Sequence, residues 1–228
     1  MIFKQLIDAE TSTYTYLLAD EVSKEAVIID PVIEQVARDT KLIKELGLSL
    51  KYILDTHVHA DHITGSGNLR KIFPDALIAL GQENKLKCAN INLEDQQELN
   101  FGKYNLTALQ TPGHTAGCVT YTCENMVFTG DLLLIKAAGR TDFQSGSNEK
   151  MYSNIQEKIY SLPEDTIIYP GHDYNGFTSS TVGEEKQFNT LISSDTSLED
   201  FTQSMDNLNL AYPKKIDVSL PANKLCGE

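Results

Sequence analysis

The sequence predicts an α/β chain in which two sheets face each other and helices cover the outside. Two observations point there. Short strand-like runs come in groups with helical segments between them, in two similar blocks, which suits a layered α/β architecture. No repeat, low-complexity tract or Pro/Gly/Ser linker interrupts the 228 residues, so residues 1–228 read as one domain large enough to bury a substantial core.

The first block opens with alternating runs at Phe3–Ile7, Tyr14–Leu18 and Ala26–Asp30, the last stopped by Pro31. From about Ile33 to Leu46 the apolar positions Val36, Leu42, Ile43 and Leu46 recur at helical spacing, and Gly47 ends the run. A buried-looking strand, Lys51–Leu54, leads into "THVHADHITGSG", after which Gly65 to Phe73 reads as helix and Pro74-Asp75 as a turn. The second block has strands at Ala76–Leu80, Tyr104–Leu109, Cys118–Cys123, Met126–Thr129 and Thr166–Tyr169, with a helix at Glu149–Ser161. Helices are expected at Ser180–Ile192 and Leu198–Asn207, the second with Glu199 and Asp200 in its first turn, where they suit the helix dipole. The tail "PKKIDVSLPANKLCGE" shows no clear periodicity.

Composition narrows the function classes. Apolar residues make up 41% of the chain and charged residues 22%, and no apolar run approaches the roughly 20 residues that span a bilayer. The N-terminus has neither the apolar core of a signal peptide nor the Arg-rich pattern of a transit peptide, so a cytoplasmic location is expected. A net charge of −13 argues against nucleic-acid and anionic-membrane partners, which want a basic footprint. Cys88, Cys118, Cys123 and Cys226 form no CxxC pair or disulfide-like framework and are expected to be reduced, mostly buried thiols.

The chemistry gathers at strand ends. All five histidines fall in three short stretches, each following an apolar run: His57, His59 and His62, then His114 in "TPGHT", then His172 in "YPGHDY". A fourth strand end, "MVFTGD", presents Asp131. A lone histidine is most often a hydrogen-bonded core or surface residue, but five of five beside Gly or Pro at strand–loop junctions indicate metal binding. His57 and His59 converge from an extended loop, while Asp61 and His62 project elsewhere as the chain turns toward a helix. The motif therefore serves two neighbouring points, and His114, Asp131 and His172 must complete the shell.

His57-x-His59-x-Asp61-His62, with His114, Asp131 and His172, resembles the ligand set of the metallo-β-lactamase superfamily, whose fold is an αββα sandwich with metals at one edge between the sheets. From ligand identity alone, a dinuclear zinc or iron hydrolase of glyoxalase II type, acting on acylglutathione thioesters, is the expected class. The segments "GRTDF" and "HDYNGFT", with "STYTYLLAD", "EAVIIDPV" and "KIDVSLPANKLCG", instead resemble the persulfide dioxygenases of that superfamily over essentially the whole chain. That resemblance implies one Fe(II) per chain on His57, His114 and Asp131, a 2-His-1-carboxylate set of the kind found in non-haem Fe(II) oxygenases. It also implies glutathione persulfide and O2 as substrates, sulfite and glutathione as products, and it suggests a homodimer.

Under this reading His59, Asp61, His62 and His172 either bind a second metal or, as the resemblance favours, form a polar surround that hydrogen-bonds the ligands and bound water. Arg140 is expected to fork onto a glutathione carboxylate; the alternative is a structural ion pair with Asp142. Tyr174 is a candidate catalytic and substrate-contacting residue, its hydroxyl near the bound sulfur or oxygen. Cys118 reads as packing, and Cys226 as a residue that modulates the site if the tail folds back. A metal-dependent scaffold without turnover is a third reading, and the complete ligand set argues against it.

Overall fold

A computed structural model of the chain describes residues 1–227. The first block forms one six-stranded sheet: β1 (Ile2–Asp8), β2 (Thr13–Ala19), β3 (Glu25–Ile29), β4 (Ser49–Leu54), β5 (Leu77–Gly81) and β6 (Ile91–Leu93), side by side in chain order. The second block forms another: β7 (Gln97–Phe101), β8 (Tyr104–Gln110), β9 (Val119–Cys123), β10 (Met126–Gly130), β11 (Ile167–Pro170) and β12 (Ser180–Thr181), again in chain order. β1 to β3 are antiparallel, and β3 to β6 run parallel, connected through helices α1 (Val36–Glu45) and α2 (Ser66–Ile72). In the second sheet only β10 and β11 are parallel, and helix α3 (Asn148–Asn154) lies in their crossover.

Three apolar layers follow from the period-two strands. Tyr16, Leu18, Val27, Ile29 and Leu54 of the first sheet face Phe101, Leu106, Val119, Tyr121 and Phe128 of the second. The opposite face of the first sheet packs Leu17, Ile28 and Ile53 against Val36, Ile43 and Leu69 of α1 and α2. Behind the second sheet, Val127 and Ile168 meet Met151, Val182 and Phe201 of α3, α4 (Val182–Phe188) and α5 (Leu198–Asp206). This is the αββα sandwich. Buried tyrosines stitch its inner layer at one end: the Tyr16 hydroxyl donates to the Pro170 carbonyl at 2.6 Å, and Tyr121 donates to that of Asp55 at 3.0 Å.

Strand direction explains where a site can form. β10 and β11 are parallel, and β8 runs the same way as β10 because both are antiparallel to β9. The carboxyl ends of β8, β10 and β11 therefore lie at one edge, and those of β3 and β4 lie together at an edge of the first sheet. Every expected metal-ligating residue follows one of these ends.

The structure departs from the sequence expectations at several points. β6 and β7 are unforeseen short strands, and Ser180–Thr181 is a strand that doubles as the N-terminus of α4, whose Thr181 and Glu184 form a capping box. The helix expected from Glu149 begins at Asn148 and widens into a π-helical turn over Ile155–Ile159. The aperiodic tail is helical at α6 (Ile216–Asn223), with Pro221 inside it. Cys118 and Cys123 are buried thiols as expected, but Cys88 and Cys226 are joined in a disulfide, contrary to the expectation of four reduced cysteines. Their 138-residue separation leaves no local signal, since the folded tail alone brings them together. No helix among the described residues is long and apolar enough to cross a membrane.

Peptide mapping without reductant is expected to recover Cys88 and Cys226 in one linked species, and Cys118 and Cys123 as thiols. Phe128→Ala, which empties a fully buried site between Tyr16, Phe3 and Tyr169, is expected to cost about 3–5 kcal/mol by urea unfolding.

Candidate metal centre

The strand ends deliver the expected residues to one buried place. His57, His59 and His62 leave β4, His114 follows β8, Asp131 follows β10 and His172 follows β11; all five histidines are buried. One ligand atom each from His57, His114 and Asp131 lies within 4.8 Å of the others, and His59, Asp61 and His62 form a second such group. His172 sits between the two groups, its Nε2 at 3.6 Å from Asp61 Oδ2 and 3.7 Å from Asp131 Oδ1.

Each histidine has one ring nitrogen engaged by the protein. His114 Nδ1 is 2.6 Å from the Arg140 carbonyl and His172 Nδ1 is 3.2 Å from that of Thr11; a carbonyl only accepts, so both nitrogens carry the hydrogen. His59 Nε2 donates to Asp30 Oδ1 at 3.1 Å, and His62 Nδ1 donates to Asp61 Oδ2 at 3.0 Å. Thr56 Oγ1 gives its hydrogen to Asp30 Oδ2 at 2.9 Å, so it accepts the Nδ1–H of His57 at 3.0 Å. In the neutral ring the other nitrogen keeps its lone pair. His59 Nδ1, His62 Nε2 and Asp131 Oδ1 are buried without a hydrogen-bond partner among the described residues. Neutral imidazoles with fixed tautomers and bare, converging nitrogens are what a metal requires, so the donor set fits a cation.

Electrostatics agree for His57 and His59, while His172 is shifted toward its protonated form. Burial, then the neighbouring histidines, hold His57 and His59 well below the usual imidazole range, which keeps them neutral. Burial pushes Asp131 up, but His172, His114 and His57 more than offset it, so its carboxylate titrates below the usual range. For His172, burial is outweighed by Asp131, Asp61 and Asp30, which raise it. Beneath the loop, burial pushes Asp30 and Asp55 up to about 7.

Glycine makes room for this packing. A Cβ on Gly171 would stand 2.6 Å from Asp131 Oδ1, and one on Gly130, at φ +52°, would stand 2.6 Å from Thr56 Oγ1.

Arg140 reaches the centre by its backbone. Its carbonyl orients His114, while its guanidinium forks onto Asp142 at 2.6 and 2.7 Å and donates to the Ala211 carbonyl. It lines a cavity of about 450 Å³ with Asp142, Asn148, Asp206 and Leu210. Tyr174 is 71% exposed, its ring parallel to that of His172 with centroids 6.0 Å apart. Asp30 and Thr56 went unremarked in the sequence. Asp30 ends an apolar strand as Asp131 does, and that shared pattern is the signal that marks it.

This fold, with a His/Asp metal site at one end of the sandwich, defines a metallo-β-lactamase-type protein, and the model of the Metallo-beta-lactamase superfamily matches residues 9–85 and 89–172. The chain is 47% identical to the human protein named persulfide dioxygenase ETHE1, mitochondrial, over all of its own length and 89% of that protein's. The mouse protein of that name is 46% identical over the same spans. The crystal structure of ETHE1 from Myxococcus xanthus superposes with a TM-score of 0.97 at 46% identity, covering 100% of both chains. The chain belongs to the persulfide dioxygenase family of this superfamily.

Thr56→Val keeps the shape but removes the group between His57 and Asp30. It is expected to weaken metal binding about 10–100-fold in a chelator-competition titration, with the fold retained by circular dichroism.

Proposed function

We propose that the chain is a persulfide dioxygenase that oxidises glutathione persulfide with O2, and with water releases sulfite and glutathione, using one Fe(II) held by His57, His114 and Asp131. The observation that carries this reading is the gathering of two tautomer-locked imidazoles and one carboxylate within 4.8 Å, in a chain 47% identical along its whole length to a protein named persulfide dioxygenase. Such a donor set suits non-haem Fe(II), which when bound supplies the redox chemistry with O2 and open positions for a substrate sulfur.

The protein's own residues supply geometry and charge. Arg140 and Thr56 keep the hydrogens of His114 and His57 on Nδ1, so each Nε2 keeps a lone pair free for a metal. Asp131 brings a largely buried negative charge that offsets part of a cation's charge. His59, Asp61, His62 and His172 surround the group with polar atoms that orient water and substrate. Tyr174, exposed with its ring parallel to that of His172, is assigned in this reading to contact the persulfide. For Arg140 to hold a glutathione carboxylate, its guanidinium must share or leave Asp142, whose fork it now fills. A homodimer and a cytoplasmic location belong to the same proposal, checked by sedimentation and cell fractionation.

The bare nitrogens of His59 and His62 are also what a two-metal thioester hydrolase would use, so the metal count discriminates. One iron per chain with O2 uptake that depends on glutathione persulfide is expected. Two metals per chain with thioester hydrolysis and no O2 uptake would overturn the proposal. His114→Ala is expected to abolish metal binding and activity, whereas His62→Ala should leave iron bound and activity reduced.

A further inference from the structure

The C-terminal helix reaches the centre without supplying a ligand. α6 ends at Asn223, which is buried, and the whole of its side-chain amide engages the histidine loop. Nδ2 donates to the carbonyls of His59 and His62, both at 2.8 Å, and Oδ1 accepts the Thr64 N–H at 2.8 Å. The partners themselves fix which end is nitrogen, because carbonyls only accept and an amide N–H only donates.

The rest of the tail seats this residue. The Gly67 N–H donates to the Cys226 carbonyl at 2.8 Å, and Gly227, at φ +83°, lies so close that a Cβ there would stand 2.1 Å from the Thr64 carbonyl oxygen. Cys226 is bonded to Cys88 in the segment between β5 and β6.

The loop has few internal bonds. Its carbonyls at Thr56, Val58 and Ile63 are taken by Val119, Gln144 and Ile33 from other parts of the chain. The carbonyls of the two histidines between Val58 and Ile63, His59 and His62, belong to Asn223. Asn223 therefore sets the peptide planes on both sides of Ala60-Asp61, where the loop changes direction.

We propose that Asn223 is a positioning residue of the metal centre, and that the Cys88–Cys226 disulfide holds it against the histidine loop. The inference rests on the metal-site reading above. It assigns to the tail a role in how firmly and in what geometry the cation is held.

The test loads the full-length protein and its variants with Co(II) and follows both release to a chelator and the visible absorption bands. Asn223→Asp keeps an acceptor for Thr64 but turns an oxygen toward two carbonyls, so it should be at least as damaging as Asn223→Ala. Both are expected to release Co(II) at least about tenfold faster than wild type, with shifted bands. Cys88→Ser should move release in the same direction by less, with faster hydrogen exchange at the Thr64 amide. Leu99→Ala, a core truncation on the outer strand β7, lowers stability and should leave rate and bands as in wild type; a merely structural Asn223 would behave like it. If Asn223→Ala does not fold, Asn223→Ser, which keeps a polar group in the site but is too short to make the three amide contacts, carries the comparison. Folded Asn223 variants with wild-type release and bands would overturn the proposal, and wild-type behaviour of Cys88→Ser would overturn the part played by the disulfide. Co(II) binding that survives His114→Ala would instead bring down the metal-site reading itself, a separate and recognisable failure.

Discussion

The centre depends on one buried carboxylate that is not among its expected ligands. Asp30 stands at the end of β3 with its backbone at φ +51°, held by its N–H to the Leu54 carbonyl and by its own carbonyl to the Thr15 hydroxyl. Its carboxylate accepts the Thr56 N–H at 2.6 Å, the Thr56 hydroxyl at 2.9 Å and His59 Nε2 at 3.1 Å. Burying a carboxylate is costly unless it is hydrogen-bonded, and these contacts offset part of that cost, burial still raising the group to about 7. They also decide which nitrogen of His59, and through Thr56 which nitrogen of His57, is left to bind. One acid thus converts the parallel pairing of β3 with β4 into the protonation pattern of a metal site.

The same logic governs the other histidines, with supports drawn from distant parts of the chain. Thr11 and Thr13, at the turn between β1 and β2, reach His172 and His62; the Arg140 carbonyl reaches His114. The ligands stand on strand ends that share a direction, so the sandwich fixes their separation. The supports then fix the rotation and tautomer of each ring. Glycines at 130 and 171 permit the close approach of Thr56 and Asp131 that this packing demands.

Much of this was legible in the sequence. Strands with clear alternation and a Gly or Pro stop, such as Tyr14–Leu18 and Ala26–Asp30, fall within β2 and across β3, and every ligand candidate does lie just past a strand end. What was not legible has identifiable causes. β6 and β7 sit in the polar stretch "INLEDQQELNF", where too few apolar positions alternate to mark a strand. α6 contains Pro221 and exposes Val218 beside buried Ser219, so its pattern lacks an apolar stripe. The disulfide is a tertiary fact: nothing near Cys88 in the sequence anticipates that α6 folds back onto α2 and the segment after β5.

The supporting residues were harder to see than the ligands for a chemical reason. A metal accepts few side-chain types, so His and Asp in the right spacing announce themselves. A ring N–H or a loop carbonyl accepts almost any partner of the right polarity: here it is a threonine hydroxyl, an aspartate, a backbone carbonyl or an asparagine amide. Residue identity therefore carries little information about support, and position in the fold carries nearly all of it. Proteins with the same ligand motif can differ in how tightly and in what shape they hold a cation, because that difference is written in residues like Asp30 and Thr56, which a motif does not record.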